Sequence, residues 1–340
     1  MVTMGDLTFE IEKIISEVKA RNARRILLQF PEGLLPYVTR IASLIEEQAG
    51  VEAVTSLDPC WGACDLADSE ALTLRSDLLI HFGHAPWPTQ TKVPALFVEC
   101  FSKREIAEQA VKAALSLGLK RLILTSTVQH VKTLPLVKKA LEDAGVSVTL
   151  KSDSKRAPYP GQVLGCDYSN AFSPDADTTF FIGGGLFHAV GVALFTGKRV
   201  ISLDPYTGEV RDVTPNVRRL LLERYTHVAK AKDAKRFGII IGLKSGQTHI
   251  NVARSIRDAL RSSGKEAYLF AMREVVPERF MNLGDVEALV VTACPRIAIE
   301  DGPRFPIPVL TPDEVEVVIG RKNWVELYPS INEKVEEEDG

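Results

Sequence analysis

A chain of 340 residues, 45% hydrophobic and 25% charged, is long enough to bury two or three cores and too apolar to stay unfolded. Its net charge of -3, with basic residues spread along its length, leaves no electrostatic footprint for nucleic acid or an anionic membrane. Acids interrupt the opening MVTMGDLTFEIEKI where a secretory signal needs an apolar stretch, and no run of about 18 apolar residues occurs, so a cytoplasmic protein is expected.

Strand-like apolar runs begin at Arg25 (RILLQF), Arg121 (RLILTS) and Arg236 (RFGIIIG), about a hundred residues apart, which marks an internal repeat. An amphipathic helix pattern follows each run: LLPYVTRIASLIEEQ, VQHVKTLPLVKKALEDAG and THINVARSIRDALRSSG. A second strand comes next (EAVTSL, VSVTLK, EAYLFA), then a third (SDLLIHFG, DTTFFIGGG, EALVVTAC) and a fourth (VPALFVE, KRVISLD, IPVLTP). These strands are nearly continuous Val, Ile, Leu and Phe, as expected where crossover helices cover both faces of a parallel sheet. The fold class predicted is α/β, with three similar small parallel-sheet domains over 1–104, 105–211 and 212–340. The polar segment KSDSKRAPYPGQ reads as a mobile surface loop, and the acidic tail EKVEEEDG as disordered.

In open parallel sheets ligands bind beyond the carboxyl ends of the strands, where loops are free of packing duty. Cys60 (LDPCWGACD) and Cys166 (GQVLGCDYS) each follow the second strand of a repeat, and Cys294 (VVTACPRIA) ends the third strand of the last. One isolated cysteine is as readily a small core side chain. Three of them on a repeated edge predict one metal site, with the domains in pseudo-threefold symmetry around it. The five cysteines are odd in number and scattered, which favours ligation or redox chemistry over disulfides. Thiolates select soft metals, and a closed zinc site takes four ligands, often in close pairs. A 4Fe-4S cluster held by three thiolates leaves one iron open to the amino and carboxylate groups of a small molecule.

Cys64 gives C-W-G-A-C-D-L-A, the start of the three-cysteine loop of radical S-adenosylmethionine enzymes, but Ala67 stands where the last thiolate belongs. Packing at the start of the next helix is the reading for Cys64, and a structural role that for Cys100 in FVECFSK. Gly183, Gly184 and Gly185 end a strand and form either a tight turn or a surface offering N–H groups to a carboxylate or ribose. The run lacks the spacing of a dinucleotide fingerprint. His188, His81, His84, Gln29 and Asp204 lie near strand ends, as binding residues or as hydrogen-bonded structure. Ser126 and Thr127 end a strand without a recognisable triad.

The combination LDPCWGACDLAD, IHFGHAP, GQVLGCDYS, IGGGLFHA and TACPRIAIED resembles the archaeal radical-forming enzymes of diphthamide biosynthesis, over essentially the whole chain. The resemblance implies three α/β domains, a homodimer, and a 4Fe-4S cluster held by Cys60, Cys166 and Cys294. It also implies reductive cleavage of S-adenosylmethionine between sulfur and the methionine γ-carbon. The resulting 3-amino-3-carboxypropyl radical would add to C2 of a histidine imidazole on translation elongation factor 2, with an electron donor the sequence does not name. Two other readings share the architecture: a quinolinate synthase-like 4Fe-4S enzyme, and a noncatalytic iron–sulfur subunit for electron relay or assembly.

Overall fold

The computed structural model describes residues 2–88 and 90–328; the segment EKVEEEDG lies outside them. The chain divides into two compact units. The first runs to Gly185 and includes Ile201–Arg211; the second comprises Leu186–Val200 and the described residues from Asp212 onward.

The first unit opens with an antiparallel hairpin of β1 (Val2–Met4) and β2 (Leu7–Phe9), turned at Gly5 in the left-handed region (φ 59°). Sequence periodicity gave no sign of this hairpin, because three-residue strands are too short to show alternation. It is fastened from outside: Thr8 N–H donates to the Phe101 carbonyl at 2.9 Å, and Lys103 N–H to that of Asp6 at 2.8 Å. Helix α1 (Ile11–Ala20) leads into β3 (Arg25–Gln29), α2 (Val38–Ala49), β4 (Glu52–Ser56), α3 (Asp68–Thr73), β5 (Leu78–Phe82) and β6 (Ala95–Val98). The four strands pair in the order β4-β3-β5-β6, all parallel.

Burial explains why β3 and β5 are continuous apolar runs. Ile26, Leu28, Ile80 and Phe82 pack with Ile14, Val18, Ile41 and Ile45 of α1 and α2 on one face. Leu27 and Leu79 pack with Leu66 and Ala71 on the other. Each such side chain contributes about 1.5–3 kcal/mol of transfer free energy, offset by the ordering of the chain.

The same unit then contains α4 (Ala107–Ser116), β7 (Arg121–Ser126), α5 (Leu134–Asp143), β8 (Ser147–Thr149), β9 (Thr178–Ile182) and most of β10 (Arg199–Leu203) and β11 (Val210–Asp212), in sheet order β11-β10-β9-β7-β8. The helices expected after β3 and β7 each begin with a 3-10 segment, Glu32–Tyr37 and Val128–Thr133, before the α-helix starts. Proline sits at both sites, Pro36 inside the first segment and Pro135 in the first turn of α5, where its missing N–H costs the ladder least.

The KSDSKRAPYPGQ loop lies at the surface as expected, with Ser152, Asp153, Lys155 and Arg156 exposed, and is tied down on its inner side. Asn170 accepts the backbone N–H of Asp153 (2.6 Å) and Ser154 (2.9 Å), Ser154 Oγ donates to Asp167 (2.8 Å), and Ala157 and Gln162 are buried. Polar composition here serves internal hydrogen bonds as well as solvent.

The second unit carries α6 (Phe187–Thr196), α7 (Thr214–Asp233), β12 (Arg236–Gly242), α8 (Ile250–Ser262), β13 (Glu266–Met272), β14 (Ala288–Val291), α9 (Pro295–Ile299), β15 (Val309–Leu310), α10 (Glu314–Val318) and α11 (Trp324–Leu327). Its sheet runs β13-β12-β14-β15, again parallel. Ile239, Ile241 and Val290 face one core, and Ile240, Leu289 and Val291 the other. All three large sheets therefore repeat one order, second-first-third-fourth, with β11 added at the edge of the middle one. No helix among the described residues is long and apolar enough to cross a membrane.

Candidate metal centre

Gln29, the last residue of β3, organises the edge that carries Cys60. It is buried, and its side-chain Nε2 donates to the Asp65 carbonyl at 2.7 Å while Oε1 accepts the Ala67 N–H at 3.1 Å. Both ends of the amide are thus committed to the chain between β4 and α3, which presents Cys60. In the parallel register Gln29 lies opposite His81 of β5, and the same Oε1 meets His81 Nδ1 at 2.8 Å. An oxygen has no proton to give, so His81 carries its hydrogen on Nδ1 and turns the Nε2 lone pair the other way. That lone pair faces His84 Nδ1 at 2.9 Å.

Cys60 is buried beside this pair: its sulfur and one ring nitrogen from each histidine lie within 4.8 Å of one another. Burial and the neighbouring His84 hold His81 well below the usual imidazole range, and burial brings His84 down to about 4. Both rings are neutral at pH 7, the protonation state of a ligand or a proton acceptor.

Cys166 sits in a different setting. It is exposed on its outer side, yet its packed inner surroundings, and then the nearby Cys64, push its thiol up to about 11, against a lowering by hydrogen-bonded Arg156. Cys64 thus lies within electrostatic reach of Cys166, a relation the sequence reading did not contain. Burial works against ionisation of the adjacent Asp167, but hydrogen bonds from Ser169 and Ser154 hold its carboxyl low.

Cys294 belongs to the second unit, half-buried at the N-cap of α9 in extended backbone (φ −97°, ψ 129°), and Pro295 opens the helix after it. Buried Arg224 of α7 holds α9 from behind: Nη1 donates to the Ala298 carbonyl at 2.6 Å, Nη2 to Val309 at 2.6 Å, and Nε and Nη2 to the carboxylate of Glu314 at 2.9 and 2.5 Å. Gly242 lets β12 approach the cysteine's neighbour, since a Cβ there would stand 2.7 Å from that of Ala293. Nothing in the local sequence pattern singled out Arg224; partners 74–90 residues away, the Glu314 carboxylate and two backbone carbonyls, account for its burial.

The remaining expected residues have these places. Gly183 N–H is in the sheet, donating to Leu203 at 3.1 Å, and a Cβ there would meet the Phe181 ring at 2.9 Å. Gly184 lies against Tyr206, and Gly185 takes the left-handed conformation (φ 72°) with open space around it. His188, in α6 of the second unit, meets the Phe187 ring edge-on at 5.1 Å. Asp204 Oδ1 accepts the backbone N–H of Tyr206 (2.8 Å) and Thr207 (3.3 Å), closing a turn. Ser126 Oγ donates to the Thr127 carbonyl. Cys100 is buried with positive φ (58°), donates to the Val98 carbonyl, and has its thiol pushed up to about 12, chiefly by burial.

Residues 30–329 match the family described as "Putative diphthamide synthesis protein". The chain belongs to the diphthamide synthesis family. It is similar to the 2-(3-amino-3-carboxypropyl)histidine synthase of Pyrococcus horikoshii, 37% identical over 317 residues that cover 92% of this chain and 91% of that one. Subunit 1 of the same synthase from Schizosaccharomyces pombe is 31% identical over 94% of this chain and 76% of its own length. Among solved structures, Dph2 from Pyrococcus horikoshii superposes with a TM-score of 0.86 at 37% identity, covering 93% of this chain and 92% of the other. The form of that protein with a 4Fe-4S cluster matches equally well, TM-score 0.86 at 36% identity. The family and the α/β fold are those the motifs and the strand repeat imply.

Proposed function

We propose that this chain is a 2-(3-amino-3-carboxypropyl)histidine synthase that cleaves S-adenosylmethionine reductively and transfers the aminocarboxypropyl fragment to C2 of a histidine imidazole of translation elongation factor 2. The observation that carries this reading is family membership over nearly the whole length, together with cysteines at strand edges in all three repeats. We assign the thiolates of Cys60, Cys166 and Cys294 as ligands of a 4Fe-4S cluster, one from each proposed domain of 1–104, 105–211 and 212–340. The donor set suits it: sulfur only, in partly dry surroundings, with one iron left open. When bound, such a cluster supplies the electron that breaks the bond from sulfur to the γ-carbon, giving methylthioadenosine.

The chain's own share is positional. The loop bearing Cys60 is fixed by Gln29, the Cys166 loop by Asn170, Ser154 and Asp167, and the Cys294 helix by Arg224. A sulfonium held with its γ-carbon nearest the open iron loses that bond and not the one to ribose, and misplacement by an ångström changes the product. Gly184, Gly185, His188 and Asp204 are candidates for binding the nucleoside or amino-acid part, with the backbone of Gly184 and Gly185 the most accessible, whereas Gln29 and the Gly183 N–H, expected in the same role, are committed to bonds within the fold. We further assign the protein to the cytoplasm as a homodimer.

Anaerobic protein with dithionite is expected to convert S-adenosylmethionine to methylthioadenosine. Deoxyadenosine as the main product would reject the assigned bond, and quinolinate from dihydroxyacetone phosphate and iminoaspartate would reassign the enzyme. Transfer to elongation factor 2 should vanish in Cys60→Ala, Cys166→Ala and Cys294→Ala; full activity in any one removes it from the ligand set.

A further inference from the structure

Beneath Cys60 lies a donor set that the cluster assignment does not use. His81 Nε2 and His84 Nδ1 stand 2.9 Å apart, and the sulfur of Cys60 lies within 4.8 Å of both rings. A tetrahedral zinc ion, bound at 2.0–2.1 Å by nitrogen and 2.3 Å by sulfur, needs nitrogens about 3.3 Å apart and each about 3.6 Å from the sulfur. The pair therefore opens by a few tenths of an ångström to accept the ion, and the sulfur closes by about an ångström at most.

A hydrogen-bonded histidine pair is by itself ordinary core structure. The arrangement behind this pair sets it apart. Metal-ligating histidines almost always donate their second N–H to a fixed acceptor, which sets the tautomer and aims the lone pair. Gln29 Oε1 does this for His81, and Gln29 cannot swivel, because its own amide is held at the Asp65 carbonyl and the Ala67 N–H. His81 is fully buried and Cys60 nearly so, which leaves the donors little water to compete with.

We propose that, in the cluster-free protein, Cys60, His81 and His84 form a mononuclear site for a divalent transition metal such as zinc, which excludes the iron–sulfur cluster by occupying Cys60. Binding forms one metal–sulfur and two metal–nitrogen bonds. It releases the thiol proton of Cys60 to solvent and moves the Nδ1 proton of His84 to Nε2. Three protein ligands leave the fourth position to water. No electron is transferred, so the ion and the cluster are alternatives on one thiolate, and zinc acts as an inhibitor of cluster loading. The inference does not depend on the proposed radical chemistry.

The test is cobalt(II) titration of the full-length chain, stripped of iron by a chelator under anaerobic conditions. One equivalent should bind with the visible bands of tetrahedral coordination and a thiolate-to-cobalt charge-transfer band. Cys60→Ala should lose the charge-transfer band, and His84→Ala and His84→Gln should weaken binding by more than about tenfold. Cys166→Ala and Cys294→Ala, which break the proposed cluster, should bind cobalt as the parent does, so failure of one assignment is distinguishable from failure of the other. Zinc added beforehand should slow reconstitution of the cluster in the parent and not in His84→Ala. Octahedral cobalt without charge transfer, unchanged binding in both His84 variants that melt as the parent does, or loss of binding in Cys166→Ala would each overturn the proposal.

Discussion

The first and third sheets share one strand order and present a cysteine beyond their strand ends, but they restrain that cysteine by opposite means. Cys60 is held through neutral groups: a glutamine amide reaches from the neighbouring strand to two backbone groups and a buried imidazole. Cys294 is held through charge: a buried guanidinium from α7, neutralised by Glu314, grips the α9 backbone. A repeated sheet decides where an edge residue emerges. What stiffens the loop is a separate decision, and the two solutions respond differently to mutation and to pH.

The largest break in this comparison is expected from Arg224→Met. Removing one partner of a buried ion pair leaves the other charge uncompensated, so unfolding by urea should show a loss of about 3–5 kcal/mol. Arg224→Met combined with Glu314→Leu should regain most of it, because the stranded carboxylate is then gone. Hydrogen exchange should rise around 295–305 and stay unchanged around 60–67. Gln29→Leu is the mirror experiment: it leaves the His81 N–H, the Ala67 N–H and the Asp65 carbonyl without their partner, at about 2–4 kcal/mol in all. Exchange should then rise around 60–67 and be unaltered around 295–305. Equal loosening of both segments in either variant would show that the two restraints are not independent.

Acid gives a smaller and more even perturbation. His130 in the first unit and His227 in the second are both brought down to about 4, mainly by burial. Below the unfolded value of about 6.5 the unfolded chain takes up a proton that the folded chain refuses, so stability is full above that pH and falls as pH drops toward 4. Each histidine should cost about 1–2 kcal/mol by pH 5. Replacing His227 with Gln should flatten the pH dependence of the unfolding midpoint between 7.5 and 5; an unaltered slope would refute its buried neutral state.

Much of the architecture is legible in the sequence because burial on both faces writes itself as continuous apolar runs, and repetition shows them three times. The cysteine edges follow from strand ends. What escapes is whatever depends on register or on distant partners. Gln29 and His81 each attract notice as polar residues near strand ends, but only the parallel pairing of β3 with β5 sets them side by side. Arg224 sits in a helix rich in charge and looks solvent-facing until Glu314 is folded against it. Asp204 is a turn-former whose role is decided by the two N–H groups that follow it. The KSDSK loop looks loose because its polar side chains bond to one another rather than to a regular ladder.

The opening hairpin has a consequence for biosynthesis. Its outer edge finds its backbone partners at Phe101 and Lys103, so during synthesis Asp6 and Thr8 must wait for roughly another hundred residues before they can dock. Until then Leu7 and Phe9 are exposed apolar side chains on a tethered nascent chain, and a chaperone has its clearest window there.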